Sequence, residues 1–219
     1  MDNKIKTFVR LADLFNQNGY QLYLVGGSTR DYLLNIPLTD MDVVTDATPE
    51  QEKMFLPNLD DTFAKFGSTK LVFEGVKFDI TTLRKESEYI DSRHPSKIEF
   101  TNKLEEDVSR RDITINALYL SKDLKVIDLV NGVKDLNDGI IRMIGNTSKR
   151  IAEDPLRIVR ILRFKLDLDF KLDAEVELAI KENISLLEKL NIDKMNAELN
   201  KCAHKEKLKE LIKDYTNNS

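Results

Sequence analysis

Three aspartates stand where oxygen-rich metal chemistry could be done: Asp40 and Asp42, two residues apart in LTDMDVVT, and Asp79 in KFDITTLR. Side chains two apart on a strand emerge on the same face. Asp40 and Asp42 are therefore set to share a cation, whose binding would relieve their mutual repulsion. Asp79 lies in a second apolar, β-branched run, among residues that otherwise face a core. Three acids from two strands would form the cluster required for metal-assisted attack of a hydroxyl on a phosphate. Each piece alone has a plainer alternative: an isolated Asp-x-Asp is a solvated turn, and a lone strand acid is an edge residue.

The turn before the acids has chemistry of its own. Leu24 and Val25 end a strand at Gly26 and Gly27, and Ser28 with Asp31 three residues later is expected to make a capping-box-like helix start. Such a turn exposes free backbone amides. Glycine lets a triphosphate approach the backbone, the helix N-terminus favours negative charge, and Arg30 can add a charge-assisted contact. Taken alone, Gly-Gly before a helix is equally a packing turn.

The elements around these residues are read from periodicity. Ile5, Phe8, Val9, Ala12 and Phe15 recur at helical spacing, with Gly19 as a stop. Leu22 to Val25, Met41 to Thr45, Lys70 to Phe73, Lys77 to Leu83 and Ala117 to Leu120 are strand candidates separated by Gly, Asp and Pro signals. After Ile144 the pattern turns helical, over Ile151 to Phe164, Ala174 to Leu190 and Lys194 to Leu211, with no strand candidate between. An α+β chain results, with a mixed α/β part over residues 1–140 and a helical part over 141–219.

Composition narrows the class. The chain has 219 residues, 41% of them hydrophobic, which is enough for one good core or two small ones. One cysteine, Cys202, and an opening without an apolar signal-type core argue against disulfides and secretion, so a reducing cytoplasm is the expected location. No run approaches the ~20 apolar residues of a membrane helix. A net charge of -4 weighs against a broadly basic nucleic-acid binder, while leaving room for local basic patches.

The run GGSTRDYLLNIPLTDMDVVT resembles the signature of class II tRNA nucleotidyltransferases and bacterial poly(A) polymerases, within the DNA polymerase β-like superfamily. Further matches follow in that family's order. RKESEYIDSRHP, with Arg84, Glu86, Tyr89, Asp91, Arg93 and Pro95, resembles its flexible loop. SRRDITINALYL, with Arg110, Arg111, Asp112 and Asn116, resembles its ribose-recognition motif. DLVNGVKDL resembles its head-to-neck element, and EDPLRIVRILRF its nucleotide-selecting helix. The resemblance spans about residues 22 to 201. One motif departs: LNIDKMNAELNKC has Asp193 and Lys194 where the family has Glu-Arg, and keeps Glu198 and Leu199. The chain stops at Ser219, where family members continue into body and tail domains that grip tRNA.

What the resemblance implies is a polymerase β-like head with a small mixed sheet, then an all-helical neck. The implied reaction is transfer of C and A from CTP and ATP to the 3′ end of tRNA, with release of pyrophosphate. Mg²⁺ is expected on Asp40, Asp42 and Asp79, and the triphosphate on Gly26, Gly27 and Arg30. Nucleotide contact is expected from Arg111 and Asp112. Asp154 and Arg157 are implied to read the base, with Arg160 and Arg163 nearer the triphosphate or bracing that pair. The side-chain chemistry agrees: cytosine and adenine each present an amino donor beside a ring-nitrogen acceptor, which suits a carboxylate beside a guanidinium. Asp154 before Pro155 also fits an N-cap followed by proline at the first helical position. A poly(A) polymerase shares nearly all of these residues. A CC-adding enzyme is expected to lack the loop, and an inactive nucleotide-binding module would have no reason to hold the acids.

Overall fold

Helix α1 (Asn3–Gln17) starts where the Asp2 side chain accepts the Lys4 amide, and buries Ile5, Phe8, Leu11, Ala12 and Phe15 along one stripe. It ends before Gly19, whose φ of +87° is open to glycine at no steric cost. Phe15 meets Phe55 edge-on at 5.1 Å, so Phe15→Ala is expected to cost about 3–5 kcal/mol.

In the computed structural model, which describes residues 2–91 and 94–217 and the side chains of all these except 86–91 and 94–97, the chain divides into two compact units. One comprises Met1–Ser87, Lys97–Arg111 and Ile115–Val133, and the other Glu88–Ser96, Asp112–Thr114 and Lys134–Ser219.

The first unit is built on a six-stranded mixed sheet. Its strands are β1 (Leu22–Leu24), β2 (Asp42–Thr45), β3 (Ser68–Phe73), β4 (Val76–Thr82), β7 (Tyr119–Leu120) and β8 (Val126–Ile127). They lie in the order β3-β4-β2-β1-β7-β8. Only β2 and β4 run parallel, and the other neighbours are antiparallel. Alternation in β4 puts Val76, Phe78 and Ile80 into the core shared with α1, and turns Lys77 and Asp79 outward. The short helix α2 (Gly26–Leu33) joins β1 to β2. Helix α3 (Pro49–Glu52) opens with a true capping box between Thr48 and Gln51, and α4 (Leu104–Val108) leads to the Arg110–Arg111 pair.

Where a loop is expected, β5 (Arg84–Asp91) and β6 (His94–Phe100) form a separate two-stranded sheet. Helix α5 (Gly132–Asp138) spans the point in the sequence where the first unit gives way to the second.

The second unit is helical, with α6 (Thr147–Glu153), α7 (Leu156–Leu168), α8 (Ala174–Asn183), α9 (Ile192–Leu199) and α10 (Lys205–Asn217). Helix α7 buries Ile158, Val159, Ile161 and Leu162. Three details differ from the sequence reading. A two-residue parallel pair, β9 (Ile140–Ile141) with β10 (Lys171–Leu172), sits among the helices, too short for any period to signal. The helix expected over Ile151 to Phe164 is two helices, because Pro155 lacks the N–H that would continue α6. Pro155, not Asp154, stands at the N-cap of α7, with no side-chain bond closing that cap; one residue earlier, Asp154 Oδ1 accepts the Leu156 amide and its carbonyl the Arg157 amide.

Candidate active site

Gly26 has φ +67°, and a Cβ there would sit 3.5 Å from Asp42 Oδ2. A side chain would be strained by the backbone, while its Cβ would meet the acid only in ordinary van der Waals contact. Because Gly26 makes this turn, α2 starts three residues earlier than expected, with Val25 rather than Ser28 at its N-cap and no side-chain cap. The Ser28–Asp31 capping box therefore does not form. Ser28 instead staples the acid segment, donating to the Asp40 carbonyl at 3.1 Å and accepting from the Asp42 amide at 2.9 Å. Arg30 donates Nε to Asp31 and Nη1 to Asn116 Oδ1 at 2.7 Å, tying α2 to the segment before β7.

Asp42 on β2 is the register partner of Asp79 on β4, and Asp79 is the partner of Lys70 on β3. The three form one row across the outward face of the sheet. Burial first, then Asp79 and Asp40, push the Asp42 carboxyl up to about 6, against the pull of Arg111 and Lys70. A buried carboxyl raised by neighbouring acids fits a hard divalent cation, whose charge removes the penalty. Among the described residues, no three His, Cys, Asp or Glu side chains form a ready-made metal cluster. Asp79 Oδ1 lies 3.0 Å from Lys70 Nζ, an ammonium that a cation would have to displace.

Beside the acids lies a cleft of about 200 Å³ lined by Gly26, Asp42, Asp79, Arg84, Arg110 and Arg111. Its arginines are organised by a residue that the sequence reading missed. Asp107, 0% exposed, accepts from Arg110 Nε at 2.8 Å, Arg111 Nη2 at 2.8 Å, Tyr119 Oη at 2.8 Å and the Arg84 amide at 3.3 Å. Burial alone would raise this carboxyl, but Arg111 and then Arg110 outweigh it and hold it below the ordinary carboxylate range. The available signal was Asp107 three and four residues before two arginines. Lys70 had none, since register cannot be read from one strand. Of the expected loop residues, Arg84 opens β5, and its guanidinium donates to the Phe66 carbonyl. The side chains of Glu86 and Asp91, and Arg93 altogether, lie outside the described residues.

In the second unit, Asp112, Asp154, Arg157 and Arg160 come together in one network. Asp112 Oδ1 takes Arg157 Nε at 2.7 Å and Asp112 Oδ2 takes Arg160 Nη2 at 2.9 Å, while Arg160 Nη2 also reaches Asp154 Oδ2 at 2.8 Å. Arg157 is 3% exposed and also donates to the Arg150 carbonyl. Burial would raise Asp112, but Arg160 and Arg157 hold it low. Arg160 Nε is buried with no hydrogen-bond acceptor among the described residues, an arrangement worth about 1–3 kcal/mol to any ligand that supplies one. Arg163 stands apart, paired to Glu198 at 3.0 Å and lying over the Phe164 ring.

Residues 22–142 match the family model of the poly A polymerase head domain. The chain is 41% identical over 196 residues to the CCA-adding enzyme of Ligilactobacillus salivarius, covering 90% of this chain and 48% of that one. With the CCA-adding enzyme of Enterococcus faecalis the identity is 40%, with the same coverage. Among solved structures, the Bacillus stearothermophilus CCA-adding enzyme in complex with CTP superposes with a TM-score of 0.83 at 33% identity, over 91% of this chain and 48% of that one. The Thermotoga maritima CCA-adding enzyme complexed with tRNA_CCA gives 0.77 at 27% identity, over 99% and 52%. The chain thus spans about half the length of the curated relatives it matches. No helix among the described residues is long and apolar enough to cross a membrane.

Proposed function

Because the chain belongs to the poly A polymerase head domain family, we propose that it is the catalytic portion of a template-independent RNA nucleotidyltransferase that adds C and A to tRNA 3′ ends. The observation that carries this reading is the Asp42–Asp79 pair standing beside an arginine-lined cleft. In the reaction, the RNA 3′-hydroxyl oxygen bonds to the α-phosphorus of CTP or ATP, the bond to the β-phosphate oxygen breaks, and pyrophosphate leaves. Asp42 and Asp79, with Asp40, would hold Mg²⁺. Bound there, the ion lowers the pKa of the attacking hydroxyl and neutralises charge on the leaving group.

The chain's own residues do the rest. Arg110 and Arg111, pre-set by Asp107, bind the triphosphate with forked guanidinium donors, and the Gly26–Gly27 amides add uncharged donors. Asp154 and Arg157 present the acceptor and donor that C and A require. Asp112 and Arg160 brace that pair, and the unmatched Arg160 Nε–H supports a bound acceptor in this region. Arg163 acts in this reading as a strut to Glu198. The expected cytoplasmic location follows from tRNA as the substrate.

Membership of a family named for poly A polymerase keeps that activity as a second reading. Incubation with tRNA lacking its 3′ CCA and with each nucleotide separately, resolved at single-nucleotide steps, separates the readings. Addition of two C and then one A supports the proposal. A-only extension supports the second reading, and no extension with any nucleotide refutes both.

A further inference from the structure

Asp79 lines two cavities. One is the arginine-lined cleft of about 200 Å³. The other is a groove of about 830 Å³, roughly four times larger, which borders Asp40 and Asp79 and carries Lys4, Lys70 and Lys77 from three different elements. Its walls differ in chemistry from those of the cleft. Guanidinium forks suit the fixed, bidentate geometry of a triphosphate, whereas lysines are point charges on flexible stems that can follow a chain without a set register. Lys4 donates to the Leu38 and Thr39 carbonyls, fixing its ammonium beside the segment that delivers Asp40. Lys70 pairs with Asp79, and Lys77 forms no ion pair among the described residues. Next to Lys77 its register partner Val72 is 63% exposed, giving the groove floor an apolar strip.

We propose that this groove receives the sugar-phosphate backbone of the RNA 3′ end, on the side of Asp79 away from the triphosphate. The proposal rests on the nucleotidyl-transfer reading and deepens it. An in-line displacement places the attacking oxygen and the leaving group on opposite sides of phosphorus. Two cavities that meet at one acid, each with its own cations, supply that arrangement. With Asp40 and Asp79 neutralised by a cation, Lys70 is released and three ammonium groups face Asp60 alone, so the groove becomes net positive when the site is ready to react.

The test is equilibrium binding of a fluorescently labelled single-stranded RNA ending in a free 3′-hydroxyl to the full chain, with Mg²⁺ and no nucleotide. Lys70→Ala/Lys77→Ala should weaken RNA binding by roughly tenfold and reduce the salt slope by about 0.7 for each phosphate no longer neutralised. Affinity for CTP should stay within about twofold, and Lys77→Glu alone should repeat the pattern. A 4-thiouridine near the RNA 3′ end should crosslink to the segment from Lys70 to Asp79. Unchanged RNA affinity and salt slope in both variants would overturn the proposal, as would crosslinking confined to the Arg110–Arg111 segment. The binding readout needs no turnover. A chain that adds no nucleotide yet loses RNA through Lys77→Glu would support the groove and count against the reaction.

Discussion

Asp42 and Asp79 are register partners on the only parallel strand pair of the six-stranded sheet, so their carboxyls share one face, and the charge of Asp79 adds to burial in raising the Asp42 carboxyl. Asp42→Asn removes that repulsion along with the proposed cation ligand. We expect incorporation to fall by more than tenfold while the thermal midpoint stays level or rises, because a mutually repelling, half-buried charge has been deleted. Single-turnover rates and calorimetry on the same preparation check this. Activity within tenfold of wild type would remove Asp42 from the reaction.

Asp107 is expected to act on nucleotide binding through Arg110 and Arg111. Asp107→Asn leaves two guanidiniums with a weaker acceptor, a change of the kind that costs about 3–5 kcal/mol when a buried pair is broken. The KM for CTP should rise more than kcat falls, and Asp107→Glu should recover part of the loss. Equal falls in kcat and kcat/KM would assign Asp107 a purely structural role.

Asp154 holds Arg160 and accepts the Leu156 amide at the start of α7, so its loss has two separable consequences. Asp154→Ala should cost about 1 kcal/mol of stability through the lost bond from the Leu156 amide. It should also lower discrimination of CTP over UTP by roughly one to two orders of magnitude, the worth of a paired base contact. Asp154→Asn, whose amide oxygen can still accept the Leu156 amide, separates the two effects. Wild-type selectivity in Asp154→Ala would place base reading elsewhere.

Glu52 offers a test of stability against pH. It is 1% exposed, its Oε2 accepts from Thr69 Oγ1 at 2.6 Å, and burial pushes its carboxyl up to about 7. The folded value lies above the unfolded one near 4.3. The contribution of Glu52 is therefore fully present below about pH 4 and is lost as pH rises through about 7. Glu52→Gln should flatten the stability profile between those values and gain up to about 3 kcal/mol at pH 8 relative to wild type. Parallel profiles in chemical denaturation would refute the shift.

The parts of this architecture legible beforehand are those that announce themselves locally. The Gly26–Gly27 turn, the outward Asp79 in an alternating strand and the apolar flanks of Arg157 all follow from period and turn chemistry. What stayed hidden depends on partners far along the chain. Nothing near Asp79 indicates that Lys70 stands opposite it, and Ser28 looks like a cap until the fold brings it against Asp40 and Asp42. Two-residue strands such as β9 and β10 exist because a neighbour pairs with them, which no window of one sequence contains.

The passage of the chain between the units at Arg111 and Asp112 bears on how this protein can be divided, in the laboratory or by recombination. Asp112–Thr114 belongs to the second unit, where the Ile144 amide donates to the Asp112 carbonyl and Thr114 Oγ1 donates to Asp135. A fragment cut at residue 134 would leave Arg157 and Arg160 without Asp112, and Asp135 without Thr114. Such a helical piece would be inherited as an unbalanced cluster of cations, unable to stand as an interchangeable module. A gene fusion or exchange can transmit the second unit intact only by carrying Glu88–Ser96 and Asp112–Thr114, the two segments that interrupt the first in the sequence.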